Sequence, residues 1–155
     1  MSEPATAAGF LPAVDYLRIS EGGEPWLEGS RCSACGAVFL GRRSVCSRCA
    51  TRDAMETIRL GETGTLHSFA VVHRSFPGVA VPFVSAVVDL DGGGTLKGNL
   101  VDVEFDPQRI EFGMPVRIVY RDALGRRDAD GNAYLCFFFT PATPARQAAP
   151  AEDTP

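Results

Sequence analysis

"RCSACGAVFLGRRSVCSRC", residues 31–49, sets two Cys-x-x-Cys pairs ten residues apart. A Cys-x-x-Cys turn aims two thiols at one point, and a second such turn about ten residues later folds back to complete a four-sulfur tetrahedron. Cys32, Cys35, Cys46 and Cys49 are therefore expected to form one closed structural site for a single zinc ion. Gly36, directly after the first pair, lets the chain leave that turn at positive φ. Four protein ligands leave no coordination position for water or substrate, so such an ion holds structure and does no chemistry. A pair of disulfides, a dithiol redox motif and a rubredoxin-type iron centre use the same residue types, and spacing alone leaves them open.

Around this unit the charge is uneven. Residues 29–52 contain Arg31, Arg42, Arg43, Arg48 and Arg52 and no acid, whereas the whole chain carries a net charge of −4. The acidic balance argues against a protein dedicated to polyanions. Arg42 and Arg43, between the two cysteine turns, form either a solvated turn or a phosphate contact. The opening "MSEPATAAGFLPAV" has no basic start and no long apolar run, so no export signal is expected and the chain reads as cytoplasmic. No stretch approaches the roughly 18 apolar residues of a spanning helix, and no membrane partner is expected.

Beyond the cysteines the texture changes to strands separated by glycine and aspartate turns. "GTLHSFAVVHRSF" is β-branched and aromatic, and "PFVSAVVDL" alternates so that Val84, Ala86, Val88 and Leu90 share a face. "GTLKGNLVDV" follows the turn "DGGG", "PVRIVYRD" puts Val116, Ile118 and Tyr120 on one side, and "YLCFFFTP" reads as a dense buried strand. "DPQRIEFGMPV" supplies a turn or short helix between the third and fourth strands, and "RDALGRRDADGNAY" a long loop between the fourth and fifth. This order predicts an all-β protein, a five-stranded OB-type Greek-key barrel that closes on itself, with an N-terminal rubredoxin-like ribbon. The expected division is a leader over 1–28, the ribbon over 29–52, the barrel over 53–141 and a disordered tail over 142–155. Residues 1 to about 12 and the tail read as mobile ends, or as arms ordered by a partner.

As a set, "LEGSRCSACGAVFLGRRSVCSRC", "GETGTLHSFAVVHRSFPGVAVPFVSAVVDLDGGGTLKGNLVD", "FGMPVRIVY" and "LCFFFTP" resemble the zinc-ribbon plus OB-fold proteins of acyl-CoA metabolism, long catalogued as a domain of unknown function. The resemblance covers about residues 26–141. It departs at Leu40-Gly41, before Arg42, where many relatives carry prolines. It implies a non-catalytic accessory subunit that binds a thiolase, a thiolase-like aldolase or a hydratase and helps form its acyl-CoA site, in a hetero-oligomer, and it makes a coenzyme A thioester shared with the partner the source of any phosphate that Arg42 and Arg43 meet. Bulky acyl chains, steroid or aromatic, are associated with such pairs.

The remaining chemistry-bearing residues give no catalytic constellation. His67 and His73 are read as lying on one face of one strand, too far apart to share a metal. Asp89 and Asp91 read as a strand end and a turn, and Cys136 as a small buried hydrophobe. Among the phenylalanines most are expected in the core, with Phe76, Pro77, Pro82 and Phe83 flanking a loop that offers a partner interface. The alternative function is a single-stranded nucleic-acid module, since OB barrels bind strands through aromatics and a basic groove. The acidic balance and the isolation of Lys97 count against it, and no nucleic-acid partner is expected.

Overall fold

Short β-branched and aromatic runs broken by Gly, Pro and Asp turns give ten strands and no α-helix among residues 9–142, the residues that the computed structural model describes. They are β1 (Phe10–Pro12), β2 (Leu17–Ile19), β3 (Pro25–Cys32), β4 (Val38–Leu40), β5 (Met55–Arg59), β6 (Thr63–Val72), β7 (Phe83–Leu90), β8 (Thr95–Leu100), β9 (Pro115–Arg127) and β10 (Ala133–Pro141). A 3-10 turn, Pro107–Arg109, capped by the Asp106 side chain, stands where "DPQRIEFGMPV" implied a connection. No helix among the described residues is long and apolar enough to cross a membrane.

Strands β6 to β10 close into a barrel in the order β6-β7-β8-β10-β9, with β9 returning to β6. β10 meets β8 in parallel and every other pair in the ring is antiparallel, which is the OB-fold topology. Alternation places Val84, Ala86, Val88 and Leu90 of β7, Leu96 and Leu100 of β8, Val116 and Ile118 of β9, and Leu135, Phe137 and Phe139 of β10 in the core. Gly98 belongs to this packing, because a Cβ there would stand 2.9 Å from ring atoms of both Phe137 and Phe139.

Three elements differ from the sequence expectation. β9 does not stop at Asp122 but runs to Arg127, so much of the supposed loop before β10 is a strand with an irregular insertion opposite Tyr134. β6 carries a bulge between Leu66 and Ser68 and ends at Val72, so His67 is the extra bulge residue and His73 lies beyond the strand. The two histidines therefore do not share a strand face, because a bulge reverses the alternation. Residues 10–12, read as part of an arm, pair in parallel with Ala133–Leu135 of β10. The tail expected over 142–155 lies, from residue 143 onward, outside the described residues.

The ribbon is a small antiparallel sheet built on β3, which pairs with β2, β4 and β5. β5, on the barrel side of residue 53, is thus a strand of the ribbon sheet. The root of this sheet merges with the barrel. Leu17, Leu27 and Leu60 belong to the same buried cluster as the barrel residues, and the Tyr16 and Phe137 rings lie 6.1 Å apart.

Candidate metal centre and the seam behind it

Each cysteine turn is closed by the same hydrogen bond, from Gly36 N to Cys32 O at 2.8 Å and from Ala50 N to Cys46 O at 2.9 Å. Both residues take positive φ, 73° at Gly36 and 59° at Ala50. The positive φ argued for Gly36 is thus matched at Ala50, where a Cβ makes it costly. Backbone N–H groups of Ala37, Arg48, Cys49 and Thr51 point at the sulfurs of Cys35, Cys46, Cys46 and Cys49 respectively. The Thr51 hydroxyl, 3.2 Å from Cys49 Sγ, and the Thr51 N–H hold that thiol down at about 6, whereas Cys35, despite the Ala37 N–H, is pushed up to about 11 by burial and by the other three sulfurs.

The four Sγ atoms lie within 4.8 Å of one another, with Cys32–Cys49 at 3.7 Å and Cys35–Cys46 at 3.6 Å. None of the five cysteines is in a disulfide. A tetrahedral ion with metal–sulfur bonds of about 2.3 Å has sulfur–sulfur edges of about 3.8 Å, so the donor set fits one such ion and leaves no ligand position open. Cys136, the fifth cysteine, lies on β10, half-buried, with its thiol pushed up by burial.

Behind the cluster sits a charge the sequence reading passed over. Glu28, on β3, is 5% exposed, and it accepts hydrogen bonds from Arg18 Nη2 at 2.8 Å, Arg42 Nε at 2.7 Å and Arg42 Nη2 at 3.3 Å. Arg42, then Arg18, holds its carboxyl down at about 2 against the cost of burial. Its one sequence signal is a lone acid inside the run "PWLEGS". Arg42, a candidate phosphate contact, thus has two guanidinium nitrogens turned back onto Glu28. Arg43 is differently placed: its guanidinium lies 4.7 Å over the Phe39 ring, and its N–H donates to Ser30 Oγ at 3.1 Å.

On the barrel wall the bulge brings His67 Nδ1 to 2.8 Å from Asp89 Oδ2, while Thr95 Oγ1 donates to Asp89 Oδ1 at 2.7 Å. Thr95, then His67, keeps the Asp89 carboxyl below its usual range. Sequence reasoning missed this pair because only the bulge makes it. Both side chains are largely exposed, and neither lines the groove described next.

Of the residues proposed for a partner interface, Phe76, Pro77 and Pro82 are exposed on the β6–β7 loop, and Phe83 is half-buried. Phe83 lines an open groove of about 560 Å³ against β10, between the β6–β7 loop and the irregular part of β9.

Residues 21–56 match a family model described as the ChsH2 rubredoxin-like zinc ribbon domain, and residues 57–121 match the ChsH2 C-terminal OB-fold domain. A DUF35 domain-containing scaffold protein of Methanothermobacter thermautotrophicus is 33% identical over 120 residues, 76% of this chain and 87% of that protein. The benzoylsuccinyl-CoA thiolase subunit BbsA of Geobacter metallireducens is 33% identical over 77 residues, 49% of this chain and 51% of BbsA. Among solved structures, a chain of the Ltp2-ChsH2(DUF35) aldolase superposes with a TM-score of 0.60 at 31% identity, covering 76% of this chain and 86% of that one.

Proposed function

Because the chain belongs to the DUF35 family of zinc-ribbon and OB-fold proteins, we propose that it is a non-catalytic subunit of an acyl-CoA enzyme, binding a thiolase-fold or hydratase partner and completing its acyl-CoA site. The observation that carries the reading is the match of ribbon and barrel together, over 76% of this chain and 86% of the other, to a chain of the Ltp2-ChsH2(DUF35) aldolase. Similarity to a scaffold protein and to a thiolase subunit supports the same role.

Zinc is the ion we assign to Cys32, Cys35, Cys46 and Cys49. A four-thiolate set with no open position suits a d10 ion that asks only for a tetrahedron. When bound, the ion cross-links the two cysteine turns. The protein's own residues do the rest: N–H groups at the sulfurs favour thiolates, and Arg18 and Arg42 anchor the ribbon root on Glu28. If a coenzyme A phosphate is shared with the partner, Arg43 is the better placed of the two candidate arginines, since the Arg42 fork is already engaged.

Co-expression with each thiolase-fold or hydratase gene adjoining the gene for this chain, followed by size-exclusion chromatography and an acyl-CoA cleavage or hydration assay, tests the proposal. A stable complex is expected, with two copies around a twofold partner dimer, full activity only in the complex and none in the isolated chain. Separate elution, together with partner activity that is the same without this chain, would refute it.

A further inference from the structure

We infer that the groove between the β6–β7 loop and the irregular part of β9 is the surface that receives the partner, and that its occupant is an apolar side chain of the partner enzyme flanked by a carboxylate. This rests on the accessory-subunit reading and adds to it the docking surface and the chemistry it selects.

Four features of the groove carry the inference. Its floor is apolar, with Phe83, Phe138 and Cys136 facing Val79 and Leu124. It lies between the two loops by which OB barrels commonly take their ligands, those joining the first to the second and the fourth to the fifth strand. Leu124 of its lining stands 68% exposed, and Phe76, outside the lining but on the β6–β7 loop that bounds the groove, is 83% exposed. Groups that stand out beyond a groove stay wet when a small molecule fills it and are covered only by a protein surface.

The fourth feature is strain. Leu124 is held at φ 58°, a conformation that a Leu side chain disfavours, and Asp122 pins the insertion by accepting hydrogen bonds from Gly125 N and Arg127 Nη1. A strained backbone that turns a large apolar side chain outward is a feature retained for contact, not for stability.

Charge fixes the rest of the occupant. Of the two arginines lining the groove, Arg127 is paired with Asp122 at 2.9 Å, whereas Arg126 makes no ion pair among the described residues. Asp128, the carboxylate of the lining, is turned into its own loop. It accepts from Asp130 N, Asn132 N, Asn132 Nδ2 and Tyr134 Oη, all at 2.8–3.0 Å, and offers nothing to a visitor. Asp128 keeps its charge but has its oxygens taken up by its own loop, so among the groove's apolar walls Arg126 is the charged group whose hydrogen-bonding atoms have no ion-pair partner among the described residues.

The test measures the affinity of the full chain for the thiolase-fold or hydratase subunit with which it co-elutes, by calorimetry at two salt concentrations. Leu124→Asp and Phe76→Ser should each weaken binding about tenfold or more, and the pair about a hundredfold. Arg126→Glu should weaken it by a factor that shrinks as salt rises. Phe112→Ser, at a ring of comparable exposure that belongs to neither of the two loops bounding the groove, should change affinity less than about twofold. All four sites are on the surface, and an unchanged melting temperature of each isolated variant separates lost contact from lost fold. Wild-type affinity in the Leu124 and Phe76 variants would overturn the groove while leaving the accessory reading standing. Absence of any complex with the wild-type chain would remove both. If the variants instead lose binding of a coenzyme A thioester to the isolated chain, with partner affinity untouched, the groove is a ligand site and the inference is wrong.

Discussion

The barrel and the tip of the ribbon solve the problem of stability in opposite ways. On β10 alone Leu135, Phe137, Phe138 and Phe139 are buried, and the apolar cluster around them extends through four further barrel strands. In the two cysteine turns, residues 33–37 and 44–54, by contrast, Cys46 is the one buried residue, and only Val38 and Leu40 of β4, between the turns, pack against the barrel cluster. A segment with so little apolar surface to hide cannot offset the entropy of ordering its backbone. The cysteine cluster is the core of the tip, and the metal is its cohesion.

The largest effect should therefore come from breaking the cluster. Cys46→Ser, or removal of the ion by a strong chelator, should abolish stoichiometric metal and erase amide-exchange protection over the cysteine turns, residues 33–37 and 44–54, while β7 keeps its own. Simultaneous loss of protection in both regions would show that the two are one cooperative unit. Metal analysis on protein purified without added zinc supplies the baseline, and about one zinc per chain is expected.

Next in size is the reverse experiment. Phe139 is fully buried, so Phe139→Ala should cost about 3–5 kcal/mol and lower the barrel melting temperature. Below the new melting point the chain should still hold its metal. A metal affinity lower than that of the wild type at temperatures where the variant's barrel remains folded would contradict the division.

The seam between the regions gives an intermediate effect with a pH signature. The Glu28 carboxyl titrates at about 2 in the folded chain, below the ordinary value near 4.5. A depressed carboxylate contributes stability that is fully present above its unfolded value and is lost as pH falls from about 4.5 towards 2. Glu28→Gln should destabilise the chain by about 1–3 kcal/mol at neutral pH, because Arg18 and Arg42 lose a charged acceptor. The difference in melting temperature between wild type and variant should narrow across that acid window. A difference that does not change with pH would mean that the ion pairs contribute little. The comparison is made within one pH series because acid also protonates the cysteines and releases their metal.

What could be read in the sequence divides along the same line. The metal cluster was legible because its signature is local: four residues, two identical turns, one fixed spacing. The barrel was legible because period-two alternation and strand order determine which faces meet, as with Val84, Ala86, Val88 and Leu90. What escaped depends on register or on distant parts meeting. The bulge at His67 shifts alternation by one residue and creates the Asp89 contact, and no residue type announces it. Glu28 reads as an ordinary strand acid until Arg18, from another strand, and Arg42, from beyond the first cysteine turn, fold over it. The groove draws Val79 with Phe83, Leu124 and Phe138 from three separate stretches, so the sequence could point to Phe83 but not to the wall opposite it.

The smallest effect tests whether the two cysteine turns are equivalent parts of one clasp. Gly36 and Ala50 occupy the same position after their pairs, at φ 73° and 59°, and each closes its turn with the same backbone hydrogen bond. A Cβ in this conformation costs on the order of 1 kcal/mol, and Gly36 avoids what Ala50 bears. No atom lies within 4 Å of a Cβ built at Gly36, so the cost there is conformational alone. Ala50→Gly should therefore tighten metal binding by roughly fivefold and slow its transfer to a colorimetric chelator, and Gly36→Ala should loosen it by a similar factor. Because the metal joins the two turns, the penalties act on one equilibrium, and the swapped pair Gly36→Ala with Ala50→Gly should return close to the wild-type affinity. The barrel melting temperature should stay unchanged in all three variants. If Gly36→Ala weakens binding while Ala50→Gly does nothing, the second turn is held by its surroundings rather than by the clasp, and the symmetry between the turns is one of sequence only.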